Sequence, residues 1–493
     1  GEFRVAIRVV DGVLDYADGW PPIEGIFGEV RFIGPGMRIE APRGRIFGVA
    51  LSEVVVDMPE LDTEHSDLMT ITGKAAGPTA EFLRFVSQSP VSARIGGFTD
   101  GMRAEGRGTL DLRLEMPLEK VDESRVAGEY RFGANRLWLV EGLPVLEGAA
   151  GRLRFTEDSL AMPEGRAQFL GAPARITART LDDGTVRFDA GGVASAAALA
   201  AAGKLPLAHL SGSTAWKAQV GVGTGGLHVG VESDLAGLAS SLPAPLNKNA
   251  GESWPLNVRF DAPGGAAPRR LKLELAEESG MPLRAELLWP ADGPMRGGLA
   301  LNAARTAVPR LAERGLRVEG RFDVLDADAW RRVFDGEAGG GDGTGELPLS
   351  LADLSLQIGR LQIFGQTLSG FALHSVSDAG GWKARIDSDR AVGEFDWRDS
   401  GPGALRARFE RLSIGQARET EEGGANKATA ADVETGTPPR RLPALDVVAE
   451  QFMLGGRDLG RLEVSARNRA GVWQLERLGL RNADGQLDGS GEW

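Results

Sequence analysis

The octapeptide "TLDLRLEM", residues 109–116, decides the fold class. Leu110, Leu112, Leu114 and Met116 fall on one side of an extended chain and Asp111, Arg113 and Glu115 on the other, the period of a strand with one dry and one wet face. The same alternation returns in "RLRF" (152–155), "LHVGV" (227–231), "RLKLEL" (270–275), "LSLQI" (354–358) and "RLEV" (461–464). The runs are punctuated by 69 glycines and 26 prolines, with turn tripeptides such as "DDG" (182–184) and "ADG" (483–485) between them. That punctuation favours antiparallel meanders over parallel crossovers. The expected fold is mainly β: an elongated, twisted, mostly antiparallel sheet with a few short helices. Helical periodicity is short and confined to Thr79–Val86, an Ala-rich segment near Ala196, Asp234–Leu242 and Asp326–Phe334, which are expected at the sheet ends or mouth.

Two repeats enlarge this picture. "PPIEGIFGEVRF" (21–32) matches "PVLEGAAGRLRF" (144–155) at six of twelve positions, 123 residues later. The segment from Leu354 to Trp382 matches that from Leu445 to Trp473 at a constant offset of 91, pairing Gly365 with Gly456, Leu368 with Leu459 and Trp382 with Trp473. Unequal offsets mean irregular repetition of strand geometry rather than a strict solenoid. In the first phrase glycines permit a tight curl, Val30 and Phe32 (or Leu153 and Phe155) take the apolar side, and Arg31 or Arg154 faces water.

At 493 residues the chain exceeds what a single compact core accommodates. It divides into sheet repeats with inserted helices (1–334), a Gly-rich loop (335–346), a further repeat (347–414), a linker expected to be disordered (415–440) and a last repeat (441–493) that reads as truncated. A formal charge of −13 disfavours a broad phosphate-binding surface, so nucleic acid is not an expected partner. Without cysteine there are no disulfides, thiolate metal sites or thiol nucleophiles. The apolar run "VASAAALAAA" (193–202) is about half the ~20 residues of a membrane span, and no signal-peptide pattern opens the chain. The chain begins inside one alternating segment and stops just after another, so it reads as a piece of something longer.

Motifs that carry chemistry are weak. "GVGTGG" (221–226) has dinucleotide-loop spacing but is followed by a strand pattern instead of a helix, and reads as a hairpin turn. His65, His209, His228 and His374 are far apart, "DTEH" (62–65) reads as a solvated loop, and "GGGDGTGE" lacks the tandem turns of a calcium repeat. No catalytic residue, metal or cofactor is expected, and the chain is not expected to be an enzyme.

Several phrases, in order, carry a resemblance: "DYADGWPPIEGIFGEVRFIGPGMRIEAPRGRIFGV", "GPTAEFLRFVSQSPV", "GRGTLDLRLEMPL", "FTEDSLAMPEGRAQFLG", "VESDLAGLASSLPAPLNK", "GLRVEGRFDVLDADAW" and "RNRAGVWQLERLGLRNADGQLDGSGEW". Together they resemble the YhdP branch of the AsmA-like family of bacterial envelope proteins. The resemblance implies the middle of a periplasmic β-groove, in a Gram-negative protein anchored in the inner membrane by a segment absent here. It implies phospholipids as the transported ligand, moved between inner and outer membranes that other regions engage, by a monomer without cofactor. The family offers no catalytic residue to carry over.

Alternation alone leaves two ways to hide an apolar face, a second sheet packed on it or a trough that shields acyl chains. The resemblance favours the trough. Its candidate lining is Val30, Phe32, Leu110, Leu112, Leu114, Met116, Leu153, Phe155, Val229, Val231, Leu271, Leu273, Leu275, Leu354, Leu356, Ile358, Leu462 and Val464. The alternatives are an envelope scaffold that assists outer-membrane biogenesis by β-augmentation, and a β-helical enzyme acting on polysaccharide.

Overall fold

The alternating segments become strands nearly wherever they occur. A computed structural model describes residues 3–492 apart from 62–67, 98, 119, 140–143, 204–208, 224, 277–280, 303–307, 338–348, 379, 400–402, 416–442 and 470–471. The described residues form 28 strands and four short α-helices. They gather into two units, Gly1–Ser240 with Lys248–Leu271, and Ser241–Asn247 with Lys272–Trp493.

In the first unit the strands are β1 (Arg4–Leu14), β2 (Ile23–Ile33), β3 (Gly36–Ile46), β4 (Val49–Met58), β5 (Leu68–Pro78), β6 (Arg103–Pro117) and β7 (Arg125–Trp138). They continue as β8 (Leu146–Thr156), β9 (Leu160–Phe169), β10 (Ala172–Thr180), β11 (Val186–Ser195), β12 (Leu210–Gly223) and β13 (Gly226–Ser233). Each pairs antiparallel with the next. The "GVGTGG" glycines lie at the β12–β13 hairpin, which ends at Gly223 opposite Gly226. A short β14 (Leu238–Ser240) folds back on the start of β12, and β15 (Leu256–Ala262) pairs with β13. The unit boundary falls within β16 (Arg269–Leu275).

The second unit contains β17 (Leu283–Trp289), β18 (Arg296–Leu301), β19 (Gly315–Asp326), β20 (Leu351–Ile363), β21 (Gln366–Asp378) and β22 (Gly381–Asp387). It ends with β23 (Ala391–Arg398), β24 (Ala404–Ile414), β25 (Ala444–Leu454), β26 (Arg457–Arg469), β27 (Val472–Arg481) and β28 (Gln486–Glu492). Here the sheet is mixed, because β18–β19, β19–β20 and β24–β25 are parallel. A parallel neighbour requires the chain to return the length of a strand, so these pairs occur where the connections are long. The segments read as the Gly-rich loop and the linker are two such connections; 338–346 and 416–440 within them lie outside the described residues.

The helices are α1 (Thr79–Ser87), α2 (Val91–Arg94), α3 (Ala196–Gly203) and α4 (Ala327–Glu337), the last running into the segment read as loop. Three follow directly from a strand end, after Pro78, Ser195 and Asp326. Ser195 Oγ accepts the Ala198 N–H at 3.2 Å and Asp326 Oδ1 that of Ala329 at 2.8 Å, satisfying first-turn donors. The helix expected at Asp234–Leu242 does not form. Asp234 Oδ1 accepts the Ala236 N–H at 3.1 Å, Leu235 and Gly237 turn to φ +50° and +89°, and Leu238–Ser240 joins β12. A local side-chain turn and two left-handed residues override a weak apolar periodicity.

The repeats reproduce pairing as well as sequence. Glu24–Arg45, Phe27–Arg43, Arg31–Arg38 and Phe32–Met37 in β2–β3 correspond one for one to Glu147–Gln168, Ala150–Arg166, Arg154–Ala161 and Phe155–Leu160 in β8–β9. The Glu-Gly step within each phrase puts Gly25 at φ +60° and Gly148 at +59°, a conformation other residues adopt only with strain. Each glycine lies at a register shift, and bulges of this kind bend a strand and raise its twist. The later repeat does likewise: Leu354–Ser375, Leu356–Leu373 and Ile358–Phe371 match Leu445–Ala466, Val447–Val464 and Ala449–Leu462.

The β24–β25 pairing makes a prediction. Ala404 lies opposite Ala444 and Ile414 opposite Leu454, so the connection must span a whole strand, which takes roughly ten extended residues. Replacing residues 416–442 by about fifteen Gly/Ser residues should leave the melting temperature within a few degrees, whereas about five should lower it sharply. Equal melting of the two variants would show that β24 and β25 do not pair in parallel.

Candidate functional site

Residues directly opposite in neighbouring strands share a face, so the registers show which side chains come together. In the first unit one rung runs Ile7, Val30, Ile39, Val56, Ile71, Leu114, Val126 across β1–β7. Beside it Val5, Phe32, Met37 and Met58 continue across β1–β4, and Met69 faces Met116. Leu112 lies between Gly73 and Gly128, and Leu110 faces Tyr130, which faces Leu153. Gly128 is opposite Phe155, whose ring occupies the space a Cβ there would need. The same face carries on from Phe132 through Gly151, Gly165, Ile176, Ala190, Ala218 and Val231 to Val258, with Phe188, Val220, Val229 and Phe260 alongside. All ten candidates on β2, β6, β8 and β13 therefore lie on one apolar face.

The second unit has a longer rung. Leu283, Leu301, Gly320, Leu356, Leu373, Ile386, Gly393, Phe409, Ala449, Leu462, Leu480 and Leu487 succeed one another from β17 to β28. The next rung carries Leu354 and Val464, and Ile358 stands opposite Phe322 and Phe371. Leu271, Leu273 and Leu275 alternate with exposed Lys272 and Glu274 on β16; Glu274 pairs at 3.0 Å with Arg284.

Three candidates, Leu275, Ile358 and Leu462, are buried, at 7%, 3% and 8% exposure; the others are half-buried. Ile358 packs with Met281, Phe322 and Leu361, and Leu462 with Ala449 and Phe452, so at these points protein itself covers the face. Elsewhere the leucines keep part of their surface accessible, whereas the inward residues of two packed sheets would be enclosed.

A feature that alternation does not reveal fixes α1 at one end of this face. Asn135 is wholly buried; its Nδ2 donates to Thr79 Oγ1 at 2.6 Å and its Oδ1 accepts the Arg107 N–H at 3.0 Å. The Tyr130 hydroxyl donates to the same Thr79 oxygen at 2.9 Å, and burial raises its pKa. Phe82 of α1 meets the Tyr130 ring edge-on at 4.9 Å, and Phe85 meets Trp20 at 5.9 Å. In "FGANRLW" nothing but an isolated Asn hints at this.

The opposite face is charged. Asp111 accepts from Arg131 at 2.7 Å, Arg113 pairs with Glu115 at 2.7 Å, and Glu129 is shared by Arg131, Arg152 and Arg154. The Arg154 hydrogen bond is the main cause holding the Glu129 carboxyl below the usual range. His228 stands 2.8 Å from Asp261 and His374 4.0 Å from Asp353, each alone, and among the described residues no three metal-ligating groups come together. His65 and the rest of "DTEH" lie outside the described residues. Among those residues no helix is long and apolar enough to cross a membrane.

A family described as YhdP protein matches residues 1–493. The chain is also similar to the intermembrane phospholipid transporter YhdP of Escherichia coli (strain K12), 25% identical over 274 residues, covering 53% of this chain and 21% of that protein. The chain thus matches about a fifth of that relative's length. No solved structure matches it.

The α1 anchor is testable. Asn135→Ala leaves the Arg107 N–H without its acceptor in a buried site, a loss of about 1–3 kcal/mol. The melting temperature should fall by several degrees and amides of α1 should exchange faster than those of β2–β4. An unchanged melting temperature would show that Asn135 does not hold the helix.

Proposed function

This chain belongs to the YhdP family, and from that premise we propose that it is a periplasmic segment of a bridge along which phospholipids pass between the inner and outer membranes. The acyl chains lie against the apolar face and the charged face meets water. The observation that carries this reading is the twelve-strand rung of the second unit, which has only Leu, Ile, Phe, Ala and Gly at every step. Each methylene withdrawn from water contributes about 0.8 kcal/mol, so a half-exposed aliphatic face gains by being covered with hydrocarbon. Because successive rungs are chemically alike, a lipid moving along them meets no deep trap. Transport of this kind needs no catalytic group; the ligand is cargo, and the chain works as a monomer whose membrane contacts lie in other regions of the longer protein.

The test centres on Leu112, flanked by Gly73 and Gly128 and only half-buried. In an open trough Leu112→Asp keeps its carboxylate hydrated when lipid is absent, so the delipidated variant should melt within a few degrees of wild type. A photoreactive residue at Leu114 should crosslink phospholipid in wild type and lose that product in the Leu112→Asp background. If the face were a closed core, the buried carboxylate would unfold the unit, against a total stability usually near ~5–15 kcal/mol. No lipid crosslink at Leu114 together with collapse of the variant rules out the conduit at this strand, and crosslinking to a barrel-precursor strand instead would favour a scaffold.

A further inference from the structure

We propose that the charged face of β8–β11 is a docking surface for an acidic polypeptide. These four strands carry six arginines, Arg152, Arg154, Arg166, Arg175, Arg179 and Arg187, against three carboxylates, Glu147, Glu164 and Asp189. Within the strands the excess is positive, in a chain whose formal charge is −13, while the hairpins that join them carry Glu157, Asp158, Asp182 and Asp183. The registers concentrate it further. Arg166 lies directly opposite Arg175, and Arg179 directly opposite Arg187, although like charges in such positions are destabilising.

Some arginines elsewhere on the charged faces have carboxylate partners, as Arg31 has Glu29 and Arg398 has Asp378 and Asp396, while others such as Arg8, Arg43 and Arg360 are exposed without one among the described residues. Arg187 has Asp189 at 2.8 Å, while Arg152 and Arg154 divide Glu129 with Arg131. Arg166, Arg175 and Arg179 are exposed and make no ion pair with any described residue. Three guanidinium groups thus point outward from a rigid sheet with their donor forks unused, the geometry that binds carboxylates in pairs.

The chemistry of the surroundings selects the partner. Interfacial membrane binding needs large apolar or aromatic side chains interleaved with the cations, and single-stranded nucleic acid needs aromatic platforms. The only exposed large apolar residue on these strands is Val193, on β11. The residues between the arginines are small or polar, among them Ala161, Pro163, Thr177 and Gly191. A hydrated acidic peptide surface fits such a face, and its binding would be screened by salt. This surface is on the opposite side of the sheet from the proposed acyl-chain path and stands whether or not lipid moves there.

The experiment uses the whole chain and a fluorescein-labelled Glu/Gly peptide, followed by anisotropy at low and at physiological salt. The expected result is salt-sensitive binding that weakens about tenfold or more in the Arg166→Gln/Arg175→Gln/Arg179→Gln variant. Its melting temperature should be unchanged or higher, since a like-charge pair is relieved; a structural role for these arginines would lower it. Lysines at the three positions, which keep the charge but not the fork, should restore only part of the binding, and Arg38→Gln, which removes an arginine paired with Glu40, should leave it intact. No peptide binding at low salt, equal binding by the triple variant, or an equal loss in Arg38→Gln overturns the proposal. So does binding to phosphatidylglycerol vesicles in the absence of peptide binding, which would assign the face to an anionic bilayer.

Discussion

Cross-strand register is the constraint on which the rest depends. Alternation within a strand only sorts side chains to two sides; it is the pairing of Val30 with Ile39, and of Leu356 with Leu373, that joins those sides into continuous surfaces. A slip of one residue anywhere would turn a strand's leucines to water and its arginines inward. The chain guards against this with bulges at fixed places. Gly25 and Gly148 absorb the extra residue in left-handed conformation, so that Glu24 and Glu147 above the bulge and Phe32 and Phe155 below it keep their positions relative to the partner strand.

Much of this was legible. Period two in "TLDLRLEM" named the face on which Leu110, Leu112, Leu114 and Met116 lie, and the two repeats marked segments that share many of their cross-strand pairs. What could not be read has physical reasons. Parallel pairing of β24 with β25 leaves no local trace, since strand direction is set by how far the connecting chain travels. The apolar spacing of Asp234–Leu242 looked helical, but Gly237 and the Asp234 side chain decide that segment through single hydrogen bonds and one dihedral angle, which periodicity ignores. Asn135 escaped notice because its importance comes from contacts with Thr79 and Arg107, both distant in sequence. How far each candidate leucine is covered was also beyond alternation: Ile358 and Leu462 pack into clusters, while Leu112 and Leu114 stay half-exposed.

The two faces obey different rules. On the apolar side composition is nearly all that matters, and Gly, Ala, Leu and Phe interchange between rungs according to the space the neighbouring strand leaves, as where Phe155 covers Gly128. On the charged side individual partners matter, and Glu129 holds three guanidinium groups that would otherwise repel. Substitution should therefore be tolerated on the first face by volume and on the second by charge balance.

The parallel joints have a consequence for how such a sheet lengthens. From β20 to β24 the chain makes five antiparallel strands, an odd number, so the fifth points the same way as the first. A sixth hairpin strand would begin the next repeat upside down, with the sides and ends of its phrase exchanged. By entering β25 parallel to β24 the chain resets its polarity, and the phrase that opened β20 starts again in the same orientation. Duplication of this stretch of gene, whole, would add length without reorienting anything on either side, which makes the reach of the sheet a heritable quantity that can change in steps of one repeat.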